Sequence, residues 1–341
     1  MKSFAAADPA VELPNLNQES VLVEIKSLNV HFPVIKGLVF EKVVGNLKAV
    51  DGVSFSIIRG EVFGLVGESG CGKTTLARTI LKLVKPTAGQ IMFDGKDLAT
   101  LQGRNLQAFR RAVQAVFQDP FSSLNPRMRA GDIIGEPMYV HKVASGSALR
   151  KEVTRLLDIC GLPGQFADRY PHEMSGGQRQ RVGIARALAL KPQLIVCDEA
   201  VSALDVSIQA QIINLLEQLR HELGLTFLFI GHDLSVIRHI CDRVGVMYLG
   251  KMTEIAASEL LFSEPLHPYT RALIDAVPVP DPVIEAKRNV IPIAGEPPSP
   301  LAPPCGCVFN PRCRSRITRC TEDIPILEEQ CSGHSVACWV N

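Results

Sequence analysis

The sequence predicts an α/β fold in which helices flank a mostly parallel sheet, with an added antiparallel β subdomain and a helical subdomain. Short apolar runs such as 62–66 and 194–197 end abruptly at glycine or carboxylate residues, which is typical of strands buried on both faces of a parallel sheet. Segments with helical periodicity separate these runs. With 341 residues and 46% hydrophobic content, the chain is long enough to bury a sizeable core.

Charge and hydropathy exclude several classes of protein. The 36 basic and 35 acidic residues leave a formal net charge of +1, so no strong field favours nucleic acid as a partner. Residues 1–20 are polar and contain prolines, without the apolar core of a signal peptide, and predict a flexible N-terminal arm. No segment offers about 18 uninterrupted apolar residues for a membrane span. We therefore expect a cytosolic chain.

Two predicted strands precede the first glycine-rich motif. Residues 21–32 and 49–57 both alternate apolar and polar side chains, as half-buried strands do. An irregular insert is expected between them. Residues 89–93, after the motif, predict a further strand that ends at a polar turn. The two strands that precede the motif predict an antiparallel β layer beside the main sheet.

Residues 62–76 read VFGLVGESGCGKTTL, an apolar run followed by a glycine-rich turn and a helix. The turn fits the phosphate-loop pattern G-x-x-x-x-G-K-[ST], whose glycines let successive N–H groups face one anion at a helix N-terminus. Lys73 would reach the β- and γ-phosphates, and Thr74 would ligate Mg²⁺. The alternative is a chance glycine-rich turn, but strand, lysine and hydroxyl are all in place. The predicted nucleotide-binding residues are Gly67, Glu68, Ser69, Gly70, Cys71, Gly72, Lys73, Thr74 and Thr75.

A short apolar run, 113–117, ends at Gln118 and is followed by a proline-bearing loop. A glutamine in this position is usually a solvated loop residue. From about 127 to 171 the pattern turns helical, with a break at Gly161, and the subdomain is predicted to span about 119–172. This stretch predicts a helical subdomain inserted in the α/β core.

Ser175 and Gln178 have the spacing of a capping box, which predicts that a helix begins here. Between them, Gly176 and Gly177 lower helix propensity but leave exposed backbone donors that a phosphate could approach. An ordinary capped helix would share the capping box, but it would not require the two glycines.

Polar residues also end two later apolar runs. The run 194–197 leads into Asp198 and Glu199, and a further run ends near His232. Function in parallel sheets collects at the carboxyl ends of strands. Asp198 can hold Mg²⁺ through water, and Glu199 can orient and polarise an attacking water. The alternatives are a solvated acidic loop and a structural histidine.

Together these segments resemble the ATP-binding subunit of an ATP-binding-cassette (ABC) transporter over roughly residues 21–275. Six motifs occur in the family's order. They are the Walker A loop at 67–75, the Q-loop glutamine Gln118, the signature motif Ser175, Gly176, Gly177 and Gln178, the Walker B acids Asp198 and Glu199, the D-loop aspartate Asp205, and the switch histidine His232.

The resemblance implies a mechanism in which two subunits sandwich two ATP molecules, each between one phosphate loop and the other subunit's signature helix. Ser175 would face the γ-phosphate bound by the partner. Glu199 is implied to be the general base and His232 the γ-phosphate sensor. Gln118 is implied to bind Mg²⁺ and to couple the site to membrane subunits, and Asp205 belongs to the nucleotide-binding set.

One feature departs from the family pattern. An aromatic residue commonly stacks on adenine a few positions before the strand at 49–57, and Val44 occupies that position here. Phe32 or Phe40 could substitute. Adenine contacts are therefore the least defined part of the predicted site.

The C-terminal quarter resembles one subfamily. Residues 264–273, EPLHPYTRAL, are similar to a segment of the ATPases of oligopeptide and dipeptide importers. A proline-rich linker, 276–304, leads to a cysteine-rich tail, 305–341. The resemblance implies that Cys307, Cys313, Cys320 and Cys338 bind a [4Fe-4S] cluster, with Cys305 and Cys331 outside the pattern. Four thiolates could equally hold Zn²⁺, although no paired C-x-x-C is present, and a tail without metal is the third alternative.

The resemblance implies an ATPase that powers the import of di- and oligopeptides through separate permeases. The implied partners are a second, similar ATPase subunit in a heterodimer, two transmembrane permease subunits and an extracytoplasmic substrate-binding protein, with the chain at the cytoplasmic face of the membrane. Related transporters serve nickel or glutathione. A soluble ABC ATPase that acts on ribosomes or DNA is the competing class. A nucleic-acid-binding zinc tail is disfavoured, despite its arginines, by the balanced charge.

Overall fold

A computed structural model of the protein describes residues 20–36, 42–117, 119, 123–202, 204–278, 281, 288 and 293–340. Most of the predicted N-terminal arm and part of the predicted linker lie outside these residues.

The described strands form two sheets. One has four strands in the order β2-β1-β4-β5, and the other has eight in the order β11-β12-β10-β9-β3-β8-β7-β6. In chain order the strands are β1 (Val21–Lys36), β2 (Lys42–Ile58), β3 (Val62–Val66), β4 (Ala88–Phe93), β5 (Lys96–Asp97), β6 (Val113–Phe117), β7 (Leu194–Asp198), β8 (Thr226–Ile230), β9 (Arg243–Tyr248), β10 (Lys251–Ala257), β11 (Glu328–Cys331) and β12 (His334–Val336).

Along the chain, most of the α-helices connect strands of the larger sheet. They are α1 (Lys73–Ile80), α2 (Gly103–Ala112), α3 (Ala130–Val140), α4 (Gly146–Ile159), α5 (Gly176–Leu188), α6 (Val206–Leu223), α7 (Leu234–Ile240), α8 (Ser258–Ser263), α9 (Pro268–Asp275) and α10 (Arg319–Glu322). Short 3-10 turns at Gly164–Asp168 and Pro171–Glu173 close the helical subdomain. No helix among the described residues is both long enough and apolar enough to cross a membrane.

The larger sheet has a parallel centre. Strands β6, β7, β8, β3 and β9 run parallel in that spatial order. β3 is buried throughout, as the continuous apolar run predicts. The predicted α/β fold with its antiparallel and helical subdomains is therefore confirmed.

The smaller sheet is antiparallel, as predicted, but its first hairpin is longer than the alternation indicates. β1 and β2 stay paired as far as Lys36 opposite Lys42, where an irregular insert was expected. Ile35 is exposed in this extension. A solvated ribbon need not alternate, so its sequence carries no strand signal.

Two apolar clusters stabilise the arrangement. One joins the helical subdomain to one face of the larger sheet. The other lies between the two sheets and contains Phe55 stacked on Phe63 at 4.9 Å between ring centroids. Because this second cluster also holds Leu76 of α1, it fixes the helix that begins at the phosphate loop.

The C-terminal residues are part of the larger sheet. β12 pairs antiparallel with β10, Glu254 opposite Val336, and β11 pairs with β12. Val308 and Phe309 belong to the core cluster of the helical side. A domain boundary at residue 305 stays a prediction, but the segment beyond it is packed on the nucleotide-binding core.

Candidate active site

The phosphate loop lies between β3 and α1, and two of its glycines are required by space as well as by backbone angle. Gly67 has φ of +149°, and a Cβ there would lie 2.1 Å from the Met247 carbonyl oxygen. Gly72 has φ of +111°, and its Cβ would lie 2.0 Å from the Ala49 carbonyl oxygen. The loop is therefore pressed against β9 and β2, and only glycine fits at these positions.

Lys73 is the first residue of α1 and is buried, with 6% of its surface exposed. Its Nζ donates to the carbonyl oxygens of Gly67 at 2.7 Å and Glu68 at 3.0 Å. These bonds hold the ammonium group inside the curve of the loop. A phosphate at that point would meet this charge and the N-terminus of α1.

Thr74 and Asp198 bring two oxygen atoms together beside the loop. The Thr74 hydroxyl donates to Oδ1 of Asp198 at 3.2 Å. Burial raises the pKa of Asp198, as does the charge of neighbouring Glu199, while the Thr74 hydrogen bond lowers it. Hard oxygen donors of this kind suit Mg²⁺, and a cation would relieve the crowded negative charge.

Glu199 and His232 come from neighbouring strand ends and lie side by side. His232 Nδ1 is 3.5 Å from Oε2 of Glu199. Glu199 has φ of +51°, a conformation that costs energy in a residue with a side chain. Its N–H donates to the Ile230 carbonyl at 2.9 Å, and its carbonyl accepts from Ser202. These bonds hold the carboxylate at the mouth of a cavity of about 140 Å³ that His232 also lines.

A second cavity, of about 250 Å³, opens above the phosphate loop. Its described lining includes Lys73, Thr74 and Glu199, and also Phe32 and Leu47 of the β1–β2 pair. Phe32, 38% exposed and paired with Leu47 across β1 and β2, is the aromatic side chain that this cavity offers to a base. The side chain of Val44 and all of Phe40 lie outside the described residues.

The signature segment folds as its capping box predicts. The Ser175 hydroxyl accepts from the Gln178 N–H at 3.3 Å, and the Gln178 side chain accepts from the Ser175 N–H at 3.0 Å. Asp205 likewise caps α6 by accepting from the Ile208 N–H at 2.9 Å.

Gly177 differs from the expectation that both signature glycines are exposed. It is buried, and a Cβ there would lie 2.5 Å from Cγ2 of Ile208, whereas Gly176 is half buried. The expectation is wrong for Gly177 because α5 packs directly on α6 at that residue. Glycine is therefore required at position 177 by packing against Ile208, which the neighbouring sequence does not reveal.

Some predicted residues are not brought into the cavity. The described lining of the cavity above the phosphate loop includes none of Ser175, Gly176, Gly177, Gln178 or Asp205. Gln118 lies outside the described residues.

Two residues that contact the loop lie far from it in the sequence and are not predicted by its motif. The Tyr269 hydroxyl accepts from the Glu68 N–H at 2.8 Å, and Arg312 forms an ion pair with the Glu68 carboxylate. Tyr269 lies in the segment that resembles peptide importers, which was a signal without an assigned role. Arg312 stands next to Cys313, where the sequence indicates only a group of arginines in the tail.

The four predicted cluster cysteines lie in one neighbourhood. Burial, together with the charges of Cys320, Cys338 and Cys313, raises the pKa of Cys307 to about 11. The Cys307 N–H donates to the Cys320 carbonyl at 2.8 Å. Cys305 and Cys331 are exposed. Among the described residues, no three His, Cys, Asp or Glu side chains are arranged to hold a single metal ion.

The remaining four cysteines are dispersed through the core. Cys71, Cys160, Cys197 and Cys241 are all buried, as their apolar neighbours predict. Burial raises the pKa of each thiol. A raised pKa makes each of them a poor nucleophile.

A phosphate loop after β3, two acids at the carboxyl end of β7 and a histidine after β8, the strand between these two, define an ATPase of the ATP-binding-cassette class. A family model described as ABC transporter matches residues 50–202. A second, described as the C-terminal region of oligopeptide/dipeptide transporters, matches residues 253–320.

Similar proteins agree with both matches. The chain is 54% identical over 323 residues to the oligopeptide transport ATP-binding protein AppF of Bacillus subtilis (strain 168), covering 94% of this chain and 98% of that protein. The dimeric post-hydrolysis structure of the ATP-binding cassette MJ0796 bound to ADP and Pi matches with a TM-score of 0.60 and 30% identity, over 70% of this chain and 99% of that one. The cbiO1 protein of Clostridium perfringens, part of the ABC transporter complex cbiONQ, matches with a TM-score of 0.61 and 28% identity. The match covers 72% of this chain and 92% of that chain.

The chain therefore belongs to the ABC transporter family and carries the C-terminal region of its oligopeptide/dipeptide branch. The predicted family and ATPase activity are confirmed. Membership implies that the chain dimerises and works with membrane permease subunits.

Proposed function

We propose that this protein hydrolyses ATP to power the import of di- and oligopeptides, or of related small solutes, through separate membrane permeases. The observation that carries the proposal is one fold that joins the ATPase site to the transporter-type C-terminal region. The relative from B. subtilis is named an oligopeptide transport ATP-binding protein. Peptides are thus the substrate class to test first.

In the proposed hydrolysis step, Glu199 accepts a proton from the attacking water and His232 contacts the γ-phosphate. The 3.5 Å separation between them supports a shared role at one reacting group. Lys73 binds the phosphates, because its buried ammonium already lies within the loop. Binding and positioning account for most of the catalysis of phosphoryl transfer.

Thr74 and Asp198 are the described residues that would hold Mg²⁺, with Gln118 as the predicted third. When bound, the ion neutralises charge that develops on the phosphate oxygens. The fit rests on two oxygen donors 3.2 Å apart and on the raised pKa of Asp198, which burial and Glu199 cause.

We propose that the site is completed by a second, similar ATPase subunit. Ser175 at the exposed N-terminus of α5 would meet the γ-phosphate held by the partner's loop. The absence of signature residues from the described lining of the chain's own cavity supports this arrangement. The MJ0796 cassette, similar in fold and sequence, forms a dimer.

Cys307, Cys313, Cys320 and Cys338 are proposed to hold a [4Fe-4S] cluster. The charges of the other three thiols add to burial in raising the pKa of Cys307, and those of Cys313 and Cys320 add to burial in raising the pKa of Cys338. The Val340 N–H donates to Sγ of Cys338 at 3.4 Å. A single Zn²⁺ would need its thiolates at about 2.3 Å. In a [4Fe-4S] cluster each thiolate binds a different iron, so the cluster needs its thiolates farther apart than a single ion does. When bound, the group would act as a cross-link.

The cluster proposal is tested by metal content. Anaerobically purified protein should absorb broadly in the blue region and contain iron, and Cys313→Ser should lose most of both. Cys331→Ser is the matched control, because Cys331 is exposed on β11, and it should retain the iron. Zinc in place of iron would overturn the proposal.

The transport proposal is tested by reconstitution. The chain should be purified with its permeases and an extracytoplasmic binding protein in vesicles, with the ATPase on the cytoplasmic side. Peptide-loaded binding protein should stimulate ATP hydrolysis, and labelled peptide should accumulate only with ATP. Stimulation of hydrolysis by nickel or glutathione, and not by peptides, would show that the transported substrate is not a peptide. Recovery with ribosomes or DNA and without the membrane fraction would reject transport.

A further inference from the structure

The C-terminal segment contacts the phosphate loop through a bidentate ion pair between Arg312 and Glu68. Nη1 and Nη2 of Arg312 donate to Oε2 and Oε1 of Glu68 at 2.6 and 3.0 Å. Only 7% of the Arg312 side chain and 24% of the Glu68 side chain are exposed. Such bidentate pairs fix direction as well as distance.

Arg312 is held in place by groups other than Glu68. Its Nε donates to the Ala294 carbonyl at 3.1 Å, and Nη1 also reaches the Tyr248 hydroxyl at 3.2 Å. The guanidinium carbon lies 5.8 Å from the centre of the Tyr248 ring. The arginine therefore presents a fixed donor fork to the loop.

Glu68 passes this restraint on to Lys73. Its N–H donates to the Tyr269 hydroxyl at 2.8 Å, and its carbonyl oxygen accepts from Lys73 Nζ at 3.0 Å. A shift of Glu68 would therefore move one of the carbonyl groups that hold the phosphate-binding ammonium.

Arg312 stands in a tight turn between two cysteines. The Asn310 side-chain amide donates to the carbonyls of Cys305 and Cys307, each at 2.8 Å. Arg312 ends the 3-10 turn that immediately precedes Cys313. The position of the arginine is thus tied to the backbone that carries the cysteines.

We propose that Arg312 is a positioning residue for the phosphate loop, and that through it the cysteine-bearing segment sets the affinity of the loop for ATP. The inference rests on ATP binding by the loop, which the proposed function requires, and does not depend on the transported solute. A purely structural ion pair would instead affect stability without changing the ATP affinity of the folded protein.

The experiment measures ATP binding to the full chain by calorimetry at a temperature where each variant is folded. Arg312→Met and Glu68→Gln should each weaken binding about tenfold, as expected for loss of a charge-assisted hydrogen bond. The KM for ATP should rise more than kcat falls. Arg319→Met, an exposed arginine of the same segment that pairs with Asp323, is the matched control and should bind as the unmodified protein does.

A double-variant cycle separates positioning from general damage. If Arg312 acts through Glu68, the double variant should bind no more weakly than Glu68→Gln alone. Cys313→Ser should weaken binding in the natural background but not in Arg312→Met. These results would show that the segment and the loop are coupled through this ion pair.

Unchanged ATP affinity in folded Arg312→Met would overturn the proposal, and unchanged affinity in Cys313→Ser would overturn its second part. Should Arg312→Met not fold, Glu68→Gln decides the question, because it retains the backbone bonds of the loop. Failure of the unmodified chain to bind ATP would refute the proposed function instead.

Discussion

Nδ1 of His232 lies 3.5 Å from Oε2 of Glu199, so the ends of two neighbouring strands place a nitrogen and a carboxylate at the same point. The carboxylate belongs to a residue with φ of +51°. Strained backbone of this kind is concentrated at functional sites, which fits the proposed role of Glu199.

Glu199→Gln should abolish turnover and leave ATP binding intact, because an amide cannot accept the proton of the attacking water. We expect kcat to fall by about two to four orders of magnitude. Steady-state hydrolysis and equilibrium binding measure the two effects. Lys73→Ala is the contrast, since it should weaken binding itself. Full hydrolysis by Glu199→Gln in the assembled complex would refute the assignment of the base.

Phe32→Ala should weaken ATP binding if its ring stacks on adenine. The loss should be about 1 kcal/mol, or several-fold in Kd. Ile35→Ala is the control, because Ile35 is exposed on the same strand and is not among the described residues of the cavity lining. Equal Kd values for the two variants would place the adenine elsewhere.

Gly177→Ala should destabilise the fold, because its Cβ would lie 2.5 Å from Cγ2 of Ile208. Overpacking of this kind costs about 1–3 kcal/mol, more than the gain of about 1 kcal/mol in helix propensity. Gly183→Ala in the same helix meets no atom within 4 Å and should keep the gain. Urea unfolding would compare them, and matching midpoints would contradict the packing argument.

Stability should fall in acid partly through His267. Burial, with a smaller effect of Arg271, lowers the pKa of His267 from 6.5 to about 3. Between these values the unfolded chain binds a proton that the folded chain does not, so the free energy of unfolding falls as the pH falls, by about 5 kcal/mol in all.

The variant His267→Asn tests this dependence. Asparagine retains a side-chain acceptor for the N–H of Tyr269, which His267 Nδ1 binds at 3.0 Å, but it does not titrate. Its free energy of unfolding should depend less steeply on pH between about 4 and 6.5. Denaturant unfolding across that range measures the slope. If the variant and the unmodified protein showed the same slope, His267 would not be a cause of the pH dependence.

Local patterns predicted the parts of the site that a single element defines. The phosphate loop, the capping box of Ser175 and the acid at the end of β7 each follow from the residues next to them in the chain. Their mutual approach, such as Thr74 to Asp198, follows from the rule that parallel strands end at one edge.

Contacts between distant segments could not be predicted in this way. Gly177 is buried by Ile208, a residue of another helix, and Glu68 is paired with a residue 244 positions away. The pairing of β12 with β10 is similarly remote, and β12 has three residues, too few for a periodic signal. These contacts depend on tertiary packing, which local residue patterns do not encode.

The ion pair between Glu68 and Arg312 also has a consequence for synthesis. A ribosome adds roughly 5–20 residues per second, so the 244 residues that separate the partners require roughly 10–50 s. During that interval the nascent phosphate loop has left the ribosome without the arginine that orients Glu68. A cassette released early by interrupted translation would retain its ATP-binding motif but lack this restraint.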